Sequence, residues 1–541
     1  MKRILHTFHG GIHPPQHKLE STQLPIALAP LPPKLVIPLI QHIGTPAQPL
    51  VEPGDLVLKG QVIGQPEGAI SAAIHASSSG RVVALEPHAI PHPSGIPQLA
   101  VVIEVDGDDR WVEHSPLDYR TAERGELLSR LKAAGVVGLG GAVFPSHVKL
   151  DPQQYKLQTL ILNGAECEPW ISSDDMLMRE RAADIVKGID ILRYLLGPQE
   201  IIVGIEDNKP EAIAALRSAS QGCGIEVAAI PTIYPGGGER QLIKVLTGKE
   251  VPVGVRPFNV GVVCTNIATA YSIHRAVNLG EPVISRIVTV TGNVRQPRNF
   301  EALVGTPLHH LIALAGGVLP DTKRYLMGGP MMGVPLPSLD VPLVKASNCI
   351  LALSEQLQAP PPPALPCIRC TRCADACPMD LGPFELYWFA CGKNFGKAQE
   401  YDLFDCIECA CCDYVCPSHI PLVHYFRFAK SEIWAREKEK EAADAARQRH
   451  EFRQLRLERE KAEKMAKHAK AAGTAPSDSD AKKAAIQAAL ERAKAKKAAV
   501  VPKNVENLPP QAQHEIDQIE ARRAAPHNAE IPNDTDSATS N

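Results

Sequence analysis

Eight of the chain's 14 cysteines fall into two words with the same spelling. Cys367, Cys370, Cys373 and Cys377 run into Pro378, and Cys406, Cys409, Cys412 and Cys416 run into Pro417. Each word reads C-x2-C-x2-C-x3-C-P, the spacing that delivers four soft thiolates to a [4Fe–4S] cluster. Structural zinc uses another pattern, C-x2-C pairs roughly 15 to 20 residues apart. In two-cluster ferredoxins the fourth cysteine of each run ligates the other cluster. By that wiring Cys367, Cys370, Cys373 and Cys416 hold one cluster, and Cys406, Cys409, Cys412 and Cys377 the other. Cys391 and Cys411 fall outside both words and are read as non-ligands. Two such clusters carry electrons one at a time.

A second constellation is glycine-rich: Gly135-Val-Val-Gly138-Leu139-Gly140-Gly141-Ala-Val143-Phe144-Pro145. It matches no standard phosphate motif, because Val143 stands where G-x-G-x-x-G needs its last glycine. Gly248-Lys249 is followed by Glu250, which excludes a Walker loop. Backbone amides of such a loop can approach a phosphate or a flat ring closely. Taken alone it reads more simply as a tight turn. Three polar segments follow it in order: Asn163-Gly-Ala-Glu166-Cys-Glu168-Pro-Trp170, Tyr234-Pro-Gly-Gly237-Gly-Glu239-Arg240 and Cys264-Thr-Asn266-Ile-Ala-Thr269.

These residues need a scaffold of several domains, since 541 residues exceed one core of roughly 100 to 200. The balance of 57 Lys plus Arg against 60 Asp plus Glu gives no basic face for nucleic acid. The N-terminus, MKRILHTFHGGIHPPQHK, lacks the apolar run of a signal peptide, so a cytoplasmic chain is expected. Its cysteines then point to metal or redox work and not to disulfides. Residues 24–51 are the most apolar stretch, but Pro25, Pro30, Pro32, Pro33, Pro38, Pro46, Pro49 and Lys34 interrupt them, which excludes a spanning helix. If the protein works at a membrane, other subunits must hold it there.

Residues 51–85 hold two short β-type halves, EPGDLVLKGQVIG and ISAAIHASSSGRVVAL, similar to a biotinyl/lipoyl-type barrel sandwich. The tip between them, Gln65-Pro66-Glu67-Gly68, has no lysine for a swinging arm, and Lys59 lies before it, so the module reads as structural. Residues 125–265 alternate apolar β runs with helical ones, the pattern of an α/β domain with a mainly parallel sheet. Residues 286–317 give a β run, a turn at Gly292-Asn293 and a helix. Pro360 to Pro363 with Pro366 form a stiff linker before the first cysteine word. The 29 positions from Cys377 to Cys406 enclose a helical insert. Residues 430–472 mix Ala, Lys, Glu and Arg as a solvated helix does, and disorder is expected from Thr474 onward apart from an Ala/Lys run near 481–499.

The glycine loop, the three polar segments, the β-grasp-like stretch and the cysteine words, in this order, resemble the flavin-binding subunit of respiratory complex I and its relatives. With the N-terminal barrel element added, the chain is identified over about residues 1–425 as similar to the C subunits of Rnf/Rsx ion-translocating electron transport complexes. The resemblance implies a multidomain α/β plus β protein. Its parts would be a barrel-sandwich-like domain at 1–115, an FMN/NADH-binding α/β domain at 116–275 and a β-grasp, soluble-ligand-binding module at 276–355. A Pro-rich linker at 356–366, a helical two-[4Fe–4S] ferredoxin domain at 367–428 and a charged helix with disordered tail at 429–541 would follow.

For the site, the resemblance implies non-covalent FMN with NADH stacked above it. Gly138, Gly140 and Gly141 would approach the flavin, Lys149 would face its phosphate side, and Asn163 would hydrogen-bond it. Phe144 would stack on the nucleotide, and Glu166 and Glu168 would lie near flavin or nucleotide hydroxyls. Tyr234, Gly237 and Glu239 would close the pocket, with Asn266 and Thr269 at the phosphate. Leu139 stands where complex I relatives carry arginine, and Ala165 where they carry aspartate. The implied role is a peripheral NADH-linked oxidoreductase subunit on the cytoplasmic side of the inner membrane. It would pass electrons between NADH, FMN and membrane subunits, and indirectly ferredoxin, through two clusters while the complex moves ions. Two other readings stay open: a flavin-free ferredoxin-like carrier or scaffold, and a flavoprotein subunit of a soluble hydrogenase or formate dehydrogenase.

Overall fold

The structure, a computed structural model, describes residues 3–151, 156–360, 362–473 and 479–498. The chain divides into two compact units, Met1–Lys438 and Glu439–Asn541.

At the centre of the first unit is a four-stranded parallel sheet. Its strands are β1 (Thr159–Asn163), β2 (Glu200–Glu206), β3 (Glu226–Ile230) and β4 (Val262–Asn266), in the spatial order β3-β2-β1-β4. Helices α1 (Ser173–Glu180), α2 (Ala182–Leu196), α3 (Pro210–Ala219), α4 (Glu239–Thr247) and α5 (Ile267–His274) alternate with them. The strands are near-continuous apolar runs because helices cover both faces. Leu160 and Leu162 enter one core with α2 and α5, while Ile161 enters another with Leu242 and Leu246 of α4. The strand order reverses between β1 and β4, and ligands of such sheets bind at the carboxyl ends beside that switch point.

N-terminal to this domain, a four-stranded and a three-stranded sheet close over an apolar core that includes Leu35, Ile63, Val82 and Ile103. Lys59 is fixed there, paired with Asp109 and set over the Trp111 ring, so it is no swinging arm.

C-terminal to it, a six-stranded sheet carries helix Leu308–Leu314 on one face, a β-grasp arrangement. Its edge strand, Ala27–Leu28, comes from the far N-terminal region and pairs with Phe300 and Glu301. Residues 3–29 form a strap over the first unit. The His6 N–H donates to Val245 O, Gly11 N–H to Ala376 O, and Ile12 bridges to Tyr234.

The cysteine-bearing segment is helical between the two words, with helices Pro383–Cys391 and Phe395–Glu400. A long helix, Leu422–Gly473, starts soon after Cys416. In the second unit the described side chains of this helix are almost wholly exposed, and a further helix covers Ser479–Ala498. The disorder expected for 474–478 and beyond 498 lies outside the described residues. Among the described residues, no helix is long and apolar enough to cross a membrane.

Candidate functional site

Both cysteine words fold into the same loop. Arg369 and Thr371 in the first word with Asp380 just after it, and Glu408 and Ala410 in the second with His419 just after it, have positive φ of 56°, 60°, 55°, 57°, 61° and 50°. A non-glycine residue seldom enters this region, yet three matching positions do so at each word. Short helices Arg372–Asp375 and Cys411–Tyr414 repeat at the same places. Turns of this kind gather successive N–H groups into concavities that suit anionic clusters.

The words cross. Cys367, Cys370, Cys373 and Cys416 line one small cavity, closed by Phe384, Ile420 and Leu422. Cys377, Cys406, Cys409 and Cys412 line another, closed by Leu381, Leu386, Val423 and Phe426. None of these cysteines forms a disulfide. Among the described residues no group of three or more His, Cys, Asp or Glu is placed to hold a metal ion. Burial pushes the Cys373 thiol up to about 11 and the Cys406 thiol up to about 12; a metal bound there takes the proton's place. Cys411, outside both words, also lines the second cavity, with its Sγ 3.9 Å from the Tyr234 carbonyl oxygen.

The glycine loop lies over the switch point. It is closed by backbone bonds from Gly138 N–H to Phe144 O and from Val143 N–H to Gly138 O, at 2.8 and 3.0 Å. Leu139 N–H donates to the Thr269 hydroxyl on α5 at 2.9 Å. A Cβ on Gly140 would stand 3.2 Å from Asn266 Cβ, while one on Gly141, at φ +105°, would meet nothing. Gly140, Gly141 and Ala142 are exposed, so this rim of the loop is open to solvent.

Beneath the rim, Asn163 and Asn266 end β1 and β4 as register partners. Asn163 Nδ2 donates to Gly237 O, and Asn266 Nδ2 to Asp174, at 2.8 and 2.7 Å. Asn266 Oδ1 accepts from Ala268 N–H and so caps α5. Lys149 and Glu239 form an exposed ion pair at 2.7 Å. The structure thus gathers Gly138, Gly140, Gly141, Phe144, Asn163, Gly237, Asn266 and Thr269 around one crevice.

Three residues face elsewhere. Glu166 accepts from the Asp174 and Asp175 N–H groups at 2.7 and 3.1 Å and so caps α1. Burial pushes its carboxyl up to about 7, with Lys18 opposing. Glu168 accepts from Met331 and Met332 N–H on the β-grasp side. Tyr234 is 1% exposed and does not face the loop; its hydroxyl donates to Cys409 O at 2.8 Å.

Two buried lysines satisfy the carbonyls of the loop after β1, groups that burial would otherwise leave unpaired. Lys209 Nζ donates to Ala165 O at 2.7 Å, with Glu206 as its counter-ion at 2.8 Å. Lys18 Nζ donates to the carbonyls of Glu166, Glu168 and Ile171 at 2.8, 2.9 and 2.6 Å. Sequence reading missed both, and no local pattern distinguishes them from surface lysines. A surface hollow lies at the opposite, amino end of the sheet, beside Thr159, Glu200 and Glu226. Arg3 already pairs with both of these acids.

Residues 131–275 match the model of the Nuo51 FMN-binding domain, 6–108 the RnfC barrel sandwich hybrid domain and 287–335 the SLBB domain. The C subunit of the ion-translocating oxidoreductase complex of Pseudomonas aeruginosa is 50% identical over 459 residues, covering 84% of this chain and 59% of that protein. Its counterpart of the same name from Salmonella enteritidis is 49% identical over 494 residues, covering 91% of this chain and 70% of that protein. The chain therefore spans roughly three fifths to seven tenths of the length of these two curated relatives. Among solved structures, an NAD+-reducing [NiFe]-hydrogenase in the H2-reduced state is matched at TM-score 0.39 and 19% identity, over 59% of this chain and 63% of that one. That likeness is too loose to bear on function.

Proposed function

The chain belongs to the family of C subunits of ion-translocating oxidoreductase complexes, and from that premise we propose that it carries electrons between NADH and the membrane subunits of such a complex. The observation that carries this reading is the glycine loop over Asn163 and Asn266 at the carboxyl ends of β1 and β4, in the same domain whose Tyr234 hydroxyl reaches Cys409 O at the second cysteine cavity.

In this reading FMN occupies the crevice and two [4Fe–4S] clusters occupy the cysteine cavities of a helical ferredoxin domain. When bound, FMN supplies the conversion between two-electron hydride transfer and single electrons, and the clusters supply one-electron carriage. The protein's part is to hold and orient. Gly138, Gly140 and Gly141 would approach the flavin, Lys149, paired with Glu239, would face its phosphate side with Asn266 and Thr269, and Phe144 would offer a ring to the nucleotide. Lys18 and Lys209 fix the loop after β1 from below. Tyr234, buried with its hydroxyl on Cys409 O, ties the α/β domain to the second cysteine cavity.

By this account Cys377, Cys406, Cys409 and Cys412 hold the cluster nearer the flavin, and Cys367, Cys370, Cys373 and Cys416 the farther one. The partners are the other subunits, with ferredoxin reached through them. The protein sits peripherally at the cytoplasmic face of the inner membrane, and ion movement belongs to spanning subunits.

One observation favours a flavin-free carrier: the side chains of Asn163, Asn266, Glu166 and Glu168 already have protein partners. Anaerobic purification with FMN supplied separates the readings. About eight irons with one flavin per chain supports the proposal, and about eight irons with no flavin leaves only the carrier.

A further inference from the structure

Arg286 lies on strand Ser285–Gly292 of the β-grasp sheet, with its backbone paired to Ala302. Its side chain leaves that domain. It is 4% exposed, and Nη2 donates to Leu139 O in the glycine loop at 3.0 Å, while Nε donates to Ser347 O at 3.2 Å. We propose that Arg286 is a positioning residue that sets the Leu139–Gly140 peptide so that the loop's amides face the cofactor. The proposal rests on the FMN reading above and adds the group that shapes its site.

The geometry of one peptide plane carries it. In a trans peptide the carbonyl of one residue and the N–H of the next point in opposite directions. Arg286 draws the Leu139 carbonyl inward, so the Gly140 N–H must point outward, to the exposed rim. Glycine at 140 has little intrinsic resistance to a peptide flip, so the orientation depends on what holds the carbonyl.

Leu139 is held from both sides. Its N–H is taken by the Thr269 hydroxyl of the α/β domain and its carbonyl by Arg286 of the β-grasp domain. A second route joins the same parts: Asp174, a counter-charge to Arg286, accepts from Asn266, against which Gly140 packs. Burial brings the guanidinium down to about 10, so it stays charged at neutral pH. Its planar fork can serve two carbonyls at once, which an ammonium on a shorter stem cannot reproduce.

The test compares full-length wild type, R286M and R286K. Hydrogen exchange is read without FMN, and FMN affinity by quenching of flavin fluorescence. In R286M the bonded amides of Leu139 and Val143 should exchange faster, those of β3 should not change, and FMN should bind about tenfold more weakly. R286K should lie between the two. Unchanged exchange at Leu139 and Val143 overturns the proposal, as does an equal rise across both domains, which would mean general loosening. If R286M does not fold, the exchange pattern of R286K decides by the same criteria. If wild type takes up no FMN, the FMN reading fails, and the exchange data alone still judge whether Arg286 sets the loop.

Discussion

The Tyr234 hydroxyl donates a hydrogen bond to the carbonyl oxygen of Cys409 at 2.8 Å, from a ring that is 1% exposed. One buried side chain thus spans from the α/β domain to the second cysteine word. Tyr234→Phe should cost about 1 kcal/mol of stability through the lost bond. It should also lower the reduction potential of the cluster held by Cys377, Cys406, Cys409 and Cys412, because the freed carbonyl disfavours added negative charge. Redox titration followed by electron paramagnetic resonance checks this, with the other cluster's potential unchanged.

Cys416 lies on the cavity of the first word and Cys377 on that of the second. Cys416→Ala should therefore remove the cluster held by Cys367, Cys370 and Cys373, and Cys377→Ala the other. Iron analysis should fall from about eight to about four in each variant. Resonance spectra should show a different surviving cluster in each. Loss of the same cluster in both would refute the crossed wiring.

Gly10 presses the strap onto the end of the first word, at the cysteine that lines the second cavity. At its φ of +68°, an added Cβ would stand 2.7 Å from the Ala376 carbonyl and from Cys377 O. His9 Nδ1 lies 2.8 Å from the same Cys377 oxygen. Gly10→Ala should lift the strap, at a cost of about 1–3 kcal/mol. Iron should then be lost faster to a chelator from the Cys377 cavity, and at the wild-type rate from the other.

Lys345 is 1% exposed and donates Nζ to Gly135 O at 2.7 Å and to Ala73 O at 3.1 Å, tying the β-grasp domain to the loop's first glycine and to the barrel. Burial brings its ammonium down to about 7. The folded state then holds this proton less tightly than the unfolded chain, whose lysines titrate near about 10.4. The group's contribution to stability therefore rises between about pH 7 and about pH 10 and is flat below. The melting temperature of wild type relative to Lys345→Met should climb across that window, as thermal scans at several pH values can read.

Local pattern made the cysteine words, the alternation around β1 to β4 and the long charged helix legible. Spacing and periodicity are properties of neighbours in sequence. What stayed hidden depends on distant pairing. Nothing near Ala27 announces a strand partner at Phe300, and Lys18 and Lys209 look like surface cations until their carbonyl partners are placed. Arg286 sits in a short β run where a charged residue normally faces solvent. Resemblance gathered the loop, Asn163, Gly237, Asn266 and Thr269 in one crevice, but it set Tyr234 on the pocket side. The structure turns Tyr234 to Cys409 and gives Glu166 and Glu168 to a helix end and to the β-grasp backbone.

The central claim is that electrons pass between nicotinamide and the two cysteine-held clusters only by way of a flavin in the glycine-loop crevice. The direct measurement mixes the iron-loaded chain anaerobically with NADH, or after chemical reduction with NAD+, with and without bound FMN, and follows the clusters by rapid-freeze electron paramagnetic resonance. The account predicts exchange in at least one direction with FMN bound and none without it. Equal exchange without FMN, or no exchange in either direction with FMN bound, would contradict it.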